Sequence, residues 1–108
     1  MINDTHKIVE KFFKKKRFNV FNANKNIKAN GVDLVVGKNK KSWSVEVKKA
    51  SKSSRTWRVQ FLSSQYKSDL IAIVMPNKDV ILLSGRIAKL SSNKSNILCL
   101  GVVPDVFS

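Results

Sequence analysis

The chain is 108 residues long and 43% hydrophobic, which fits one folded domain and leaves no room for a second of ordinary size. Its 21 lysines and arginines outnumber its 7 acidic residues and give a formal charge of +14, which argues against an inert scaffold and for a polyanionic partner, nucleic acid first. With one cysteine, Cys99, and one histidine, His6, the chain excludes an internal disulfide framework and a Cys/His zinc site, so any metal must be held by oxygen.

The first half of the chain predicts a helix followed by three strands. Apolar residues at helical spacing predict an amphipathic helix over Asp4–Arg17. A short strand begins at Phe18, and another covers Val32–Val36 after a turn rich in asparagine and lysine. The segment Ser42–Lys49 alternates apolar and polar residues, which predicts a strand with one core face and one polar face.

The second half predicts one helix, a hairpin and two shorter elements. After a loop at Ser51–Ser54, apolar residues at helical spacing predict a second helix over Trp57–Tyr66. The remaining elements are a buried strand, its hairpin partner, a short helix and a last strand: Leu70–Met75, Val80–Leu83, Ser84–Leu90 and Ile97–Val103. This order predicts a single α/β (α+β) domain over residues 1–108, with a mixed sheet flanked by helices.

Two acidic residues stand inside apolar strands, where a carboxylate is costly unless it is paired or binds a metal. Asp33 lies within Val32–Val36, and Glu46 lies within Ser42–Lys49. Lys48 follows Glu46 by two positions, so strand periodicity puts both on one face. Two converging carboxylates beside a lysine are suited to metal-assisted phosphodiester hydrolysis.

These residues resemble the PD-(D/E)xK nucleases, which have the restriction-endonuclease-like fold. The matching stretch is GVDLVV at 31–36 followed by EVK at 46–48, and a valine at position 32 replaces the family's proline. The resemblance implies an αβββαβ core with a mixed sheet. It also implies that Asp33, Glu46 and the backbone carbonyl of Val47 bind Mg²⁺, with Mn²⁺ as a substitute, and that Lys48 positions the attacking water. A glutamate of the N-terminal helix, here Glu10, completes the implied catalytic set.

The resemblance further implies a Mg²⁺-dependent DNA endonuclease. The similarity to small Holliday junction resolvases suggests a branched DNA substrate that is recognised by its shape. A sequence-specific homing or restriction enzyme is the alternative. Because paired cuts need two sites, we expect a homodimer, with the apolar segment Ile97–Phe107 as the contact. A non-catalytic nucleic-acid-binding module is the rival from a different class, in which Glu46 and Lys48 form only an exposed ion pair.

Basic residues surround the candidate site in the sequence, and phosphate contact is their expected use. A solvated charged face is the other interpretation. They fall on the turn before the E-x-K strand and on the segment after it: Lys38, Lys40, Lys41, Lys49, Lys52, Arg55 and Arg58.

Three other residues have alternative roles that the sequence does not decide. Glu10 either joins the site or pairs with Lys14 at i,i+4, and His6 matters only if the first helix packs over the site. Gln65 is either a buried amide or a group aimed at the site. It receives no role from the resemblance, because Asp69 stands where a related Q-x-x-x-Y motif has tyrosine.

The sequence carries no signal for a membrane or for export. No apolar run approaches the roughly 20 residues of a membrane span, and Met1–Glu10 lacks the hydrophobic segment of a signal peptide. We therefore expect an intracellular protein, cytoplasmic or associated with DNA, that has no membrane partner.

Overall fold

The computed structural model describes residues 4–22, 33–53 and 56–102. The elements in chain order are α1 (Asp4–Lys15), β1 (Asn19–Asn22), β2 (Leu34–Lys38), β3 (Lys41–Lys49), β4 (Ser51–Ser53), β5 (Thr56–Gln60), a 3₁₀ helix (Ser63–Lys67), β6 (Leu70–Val74), β7 (Val80–Ser84), α2 (Gly85–Ser91) and β8 (Ile97–Val102). The predicted fold class, a mixed sheet with flanking helices, is confirmed. None of the helices in these ranges is long and apolar enough to cross a membrane.

The strands form two sheets, and β3 lies at the centre of the larger one. That sheet has the order β1-β2-β3-β6-β7. Its neighbours are antiparallel except β3 and β6, which run parallel. Residues 50–69 make the crossover between these two strands and carry β4, β5 and the 3₁₀ helix. Strands β4, β5 and β8 form the second, three-stranded antiparallel sheet.

α1 covers one face of the large sheet and forms the first core with it. Its buried residues are Val9 and Phe13, which lie one helical turn apart on the same face of α1. The strands contribute six buried residues to this core: Leu34, Val36, Val45, Val47, Ala72 and Val74.

The end of α1 is fixed by backbone geometry and by one lysine. Arg17 adopts a left-handed conformation with φ of 66°, and the N–H of Phe18 donates to the carbonyl of Phe13 at 3.1 Å. This is how helices commonly satisfy their last carbonyl groups. The Nζ of Lys38 donates to the carbonyl oxygen of Lys16 at 2.9 Å, where a cation also interacts favourably with the helix dipole.

The opposite face of the large sheet carries the second core. Ile71 and Ile73 of β6 point there, since side chains alternate along a strand. They pack with buried residues of the small sheet, of α2 and of the connecting segments, namely Ala50, Val59, Phe61, Ala88 and Leu98. Ser84 caps the N-terminus of α2, because its Oγ accepts a hydrogen bond from the N–H of Ile87 at 3.0 Å.

The predicted second helix over Trp57–Tyr66 is wrong in its first half. Residues 56–60 form β5, which pairs with β4 and β8, and only Ser63–Lys67 is helical, as a 3₁₀ turn. Trp57 and Phe61 fit a helical spacing, but with Val59 they also alternate as a strand does. The predicted loop at Ser51–Ser54 is likewise wrong, because residues 51–53 form β4.

The start of α2 leaves no space for a side chain at its first residue. A Cβ added at Gly85 would lie 2.2 Å from the carbonyl oxygen of Ser68 and 2.3 Å from that of Tyr66. The absence of a side chain at Gly85 therefore lets α2 pack directly on the backbone of the 3₁₀ helix.

We predict that Gly85→Ala lowers the free energy of unfolding by about 2 kcal/mol or more, because the backbone must move to relieve the overlap. Urea denaturation measures the change. Gly37→Ala is the matched control, since a Cβ at Gly37 would lie at an ordinary 3.4 Å from the carbonyl oxygen of Lys41, and its effect should stay within about 1 kcal/mol. Equal stability of Gly85→Ala and wild type would contradict this packing.

Candidate active site

β3 places Glu46 and Lys48 on the face of the second core. The register pairs Glu46 with Ile71 and Lys48 with Ile73, so each shares a face with its neighbour on β6. Glu46 is only 5% exposed. Lys48 is half-buried, and its Nζ lies 5.6 Å from the centre of the Phe61 ring. The predicted pairing of a buried-strand acid with a lysine on the same face is thus present.

Asp33 lies beside this pair, immediately before β2. Its N–H donates to the carbonyl of Val45 at 3.0 Å, and its Oδ2 accepts a hydrogen bond from the N–H of Val47 at 2.9 Å. The side chain of Asp33 therefore lies along the edge of β3 next to Glu46. Because the N–H and C=O of one strand residue point to the same edge, the carbonyl of Val47 also leaves β3 on the Asp33 side.

Burial and the neighbouring carboxylate of Asp33 change the titration of Glu46. The pKa of Glu46 is raised from 4.5 to about 7, first because burial removes water from its charged form and then because of the negative charge of Asp33. A hydrogen bond between the two side chains raises it further, whereas the charge of Lys48 and a hydrogen bond from Gln65 lower it. Burial and like charge outweigh the ammonium group, so Glu46 is part protonated near neutral pH.

Gln65 lies at the site, although the family resemblance assigns it no role. Its Nε2 donates to Oε1 of Glu46 at 2.8 Å, and its Oε1 accepts from the N–H of Leu62 at 2.7 Å. The amide therefore connects the 3₁₀ helix to the buried carboxylate. The available signal was the position of Gln65 on the apolar side of the predicted second helix, beside Phe61, Leu62 and Tyr66.

Three hydrogen bonds between Asp69 and Ser44 fix the chain just after the 3₁₀ helix. Oδ2 of Asp69 accepts from the N–H of Ser44 at 2.9 Å and from its hydroxyl at 3.3 Å. The N–H of Asp69 donates to Oγ of Ser44 at 2.9 Å. These bonds join the start of β6 to β3, and thereby set the distance at which Gln65 meets Glu46.

α1 brings a histidine to the site. Nε2 of His6 lies 3.8 Å from Oδ2 of Asp33, and the two side chains are 17% and 14% exposed. They form an ion pair when His6 is protonated. Glu10 is half-buried and lies one turn further along the same helix face, as i,i+4 residues do. Its role in the site stays a prediction.

The predicted phosphate contacts divide between the two faces. Side-chain alternation puts Lys38, Lys41 and Lys49 on the α1 side of the large sheet, away from Glu46, and the Nζ of Lys38 also lies 5.0 Å from the ring of Phe18. Apart from Lys38, the described members of the set are all exposed: Lys40, Lys41, Lys49, Lys52 and Arg58. Arg55 lies outside the described residues, as does the end of Ile97–Phe107.

The donors at this site suit a hard cation with few protein ligands. Across 4–22, 33–53 and 56–102, no group of three or more His, Cys, Asp or Glu residues could hold a metal ion. Asp33 and Glu46 supply two carboxylates, and the carbonyl of Val47 points to the same edge. Mg²⁺ typically binds through one or two carboxylates and keeps several waters, so this donor set fits it.

The fold is that of a solved nuclease. The bacterial homing endonuclease I-Ssp6803I superposes with a TM-score of 0.74 over 95% of this chain and 78% of its own, at 15% sequence identity. The chain shares the fold of this endonuclease. Sequence comparison finds no matching protein family and no matching curated protein. The site described above therefore carries the functional argument.

The raised pKa of Glu46 predicts a pH-dependent stability. Because the folded pKa of about 7 lies above the ordinary 4.5, folding takes up a proton between these values. The stability that protonated Glu46 contributes is complete below about pH 4.5 and is lost as the pH rises through 7. Without divalent metal, we predict that Glu46→Gln is more stable than wild type at pH 8 by up to about 3 kcal/mol.

Glutamine suits this test because it keeps an acceptor for Gln65 and cannot ionise. Denaturant unfolding of both proteins at several pH values between 5 and 8, in EDTA, measures the difference. The advantage of the variant should shrink as the pH falls. A difference of constant size across this range would show that ionisation of Glu46 is not its cause.

Proposed function

We propose that this protein is a Mg²⁺-dependent DNA endonuclease whose active centre is built on Asp33, Glu46 and Lys48. The observation that carries the proposal is the burial of Glu46 against a second carboxylate in the middle of the sheet. Such a pair is costly to the folded protein unless a cation joins it. The endonuclease fold and the formal charge of +14 support a nucleic-acid substrate.

Each residue has a distinct task in this proposal. Asp33 and Glu46, with the carbonyl of Val47, would hold the cation. When bound, Mg²⁺ supplies Lewis-acid activation of water and neutralises charge on the phosphate. The ammonium of Lys48 orients the attacking water and offsets the negative charge that develops during hydrolysis. Gln65 keeps the carboxylate of Glu46 in one orientation, and Glu10 remains a candidate for a further carboxylate.

The proposed substrate class depends on the structural neighbour. I-Ssp6803I is a homing endonuclease, which favours the homing type of DNA cleavage over resolution of Holliday junctions. We therefore place double-stranded DNA first and keep the four-way junction as the alternative substrate. The homodimer, the exchange of Mg²⁺ for Mn²⁺ and an intracellular location belong to the same proposal.

A metal-binding test separates an enzyme from a simple nucleic-acid-binding module. We predict that Mg²⁺ or Mn²⁺ raises the thermal midpoint of the wild-type protein, since a ligand that binds only the folded state stabilises it. Asp33→Asn should abolish the shift. Differential scanning fluorimetry with and without metal measures the shift, and samples in EDTA give the metal-free baseline. A protein indifferent to both metals would favour the binding module.

Cleavage assays test the assigned roles. We predict that Glu46→Gln and Lys48→Met each lower the rate of DNA cleavage by at least ~10² in Mg²⁺. Binding of DNA should survive, because neither change removes a core residue: Val45 and Val47 supply the packing of β3. A duplex and a four-way junction of equal length, used side by side, identify the preferred substrate.

Lys89→Met is the control for loss of one positive charge, because Lys89 is an exposed residue of α2 outside the site. It should cleave at close to the wild-type rate. Wild-type protein that cleaves no nucleic acid in either metal, or a Glu46→Gln variant of full activity, would overturn the catalytic assignment.

A further inference from the structure

A cleft with basic rims opens between α1 and the turn that joins β6 to β7. Its volume is about 660 Å³, within the range of sites that hold small ligands. The floor is apolar and includes Ile8, Phe12 and Val80, which are partly buried against the first core. A smaller depression of about 310 Å³ shares Ile8, Lys11 and Lys78 with it, so the two form one groove along α1, the lysine cleft.

One rim of the lysine cleft is a row of lysines. Lys7, Lys11 and Lys15 line the groove, and all three are exposed. Their spacing of four residues puts them on one face of α1, in a row about 12 Å long. Like charges at i,i+4 destabilise a helix. A row of negative charges bound alongside would offset this repulsion between the lysines.

The opposite rim holds a fourth lysine in a fixed position. Lys78 adopts a left-handed φ of 73°, and its N–H donates to the carbonyl of Met75 at 2.8 Å. Asn77 braces this turn, because its side chain donates to Oδ2 of Asp79 at 2.8 Å and accepts from the N–H of Asp79 at 3.0 Å. The turn therefore fixes the backbone position from which the exposed side chain of Lys78 reaches the groove.

The groove also has acidic residues, Asp79 on the turn rim and Asp4 at its far end. Four lysines against two aspartates leave a positive balance. Asp79 already accepts the hydrogen bond from Asn77, and Asp4 lies in the first turn of α1, where a negative charge is favourable to the helix itself. The middle of the groove, at Lys11, Lys15 and Lys78, is therefore basic above an apolar floor.

The lysine cleft is separate from the candidate active site. Its floor packs against the first core, whereas Glu46 and Lys48 point to the face of the second core. Its strand wall is β7, the edge strand, and β6 lies between β7 and β3. The cleft and the two site residues of β3 therefore lie toward different faces of the large sheet.

We propose that the lysine cleft binds a single strand of nucleic acid, with backbone phosphates on the lysines and sugar and base surfaces on the apolar floor. A basic groove with an aromatic residue such as Phe12 is the usual combination for such strands. In a duplex the bases are stacked inside, and its outer surface would leave the floor uncovered. This binding needs no metal and does not depend on the proposed cleavage.

The test measures binding of a fluorescent oligothymidylate by anisotropy in EDTA. Lys11→Glu/Lys15→Glu should lower the affinity at least ~10-fold, and the slope of log affinity against log salt should flatten by roughly 1.4, about 0.7 per lost contact on single strands. The matched control is Lys89→Glu/Lys94→Glu, the same charge change at two exposed residues outside the cleft. It should lower the affinity less than ~3-fold. Circular dichroism checks that both variants fold.

Two further readings identify the occupant. In the wild type, the methyl NMR signals of Ile8 and Val80 should shift when the oligothymidylate binds. Equal losses in both charge-reversal variants, or unmoved methyl signals, would overturn the proposal. The proposal would also be overturned if duplex DNA competed with the labelled oligothymidylate as effectively as unlabelled oligothymidylate does. The same holds if only an acidic peptide shifted these methyl signals. A protein that binds the strand here but never cleaves DNA would refute the cleavage proposal alone.

Discussion

The structure around the site depends on a carboxylate held inside the sheet. Glu46 is 5% exposed on the central strand, between β2 and β6, and its side chain projects from the sheet toward the second core, which shields it from water. Each neighbouring element places one polar side chain next to this buried carboxylate. Asp33 approaches from the start of β2, Gln65 donates from the 3₁₀ helix, and Lys48 brings a positive charge on the same face. The attraction of Lys48 does not fully offset burial and like charge, which is why the pKa of Glu46 stays above its ordinary value.

Much of this site was predictable because β3 and β2 are regular. The alternation of Trp43, Val45 and Val47 with polar residues fixed which face Glu46 and Lys48 occupy, and the apolar flanks of Asp33 placed it at the neighbouring strand. These local patterns predict which residues share a face, but not that a second core covers the face of Glu46, which the alternation predicts to be polar.

The features that the sequence did not predict, namely β5 and the contact of Gln65 with Glu46, depend on contacts between distant segments. Trp57 and Phe61 fit a helix and a strand equally well, and the choice is made by β8, which supplies the hydrogen bonds of β5. Once residues 56–60 are a strand, the chain reaches the 3₁₀ helix at the point where Gln65 faces Glu46. Similarly, the charge of the chain predicted a polyanionic partner, but only the packing of α1 on the sheet separates the lysines of the two faces. Composition contains no information about such a division.

The parallel pairing of β3 with β6 also determines the order in which the site can form. Strands β2 and β3 are joined by a two-residue turn at Asn39 and Lys40, so a hairpin with a short loop brings Asp33 to Glu46. Gln65 arrives only after the crossover of residues 50–69 is in place and Asp69 has bonded to Ser44, and closing that larger loop costs more chain entropy. A chain that has folded only its first hairpins therefore holds both carboxylates without the amide that orients Glu46, and the site is complete only when the long-range strand pair has closed.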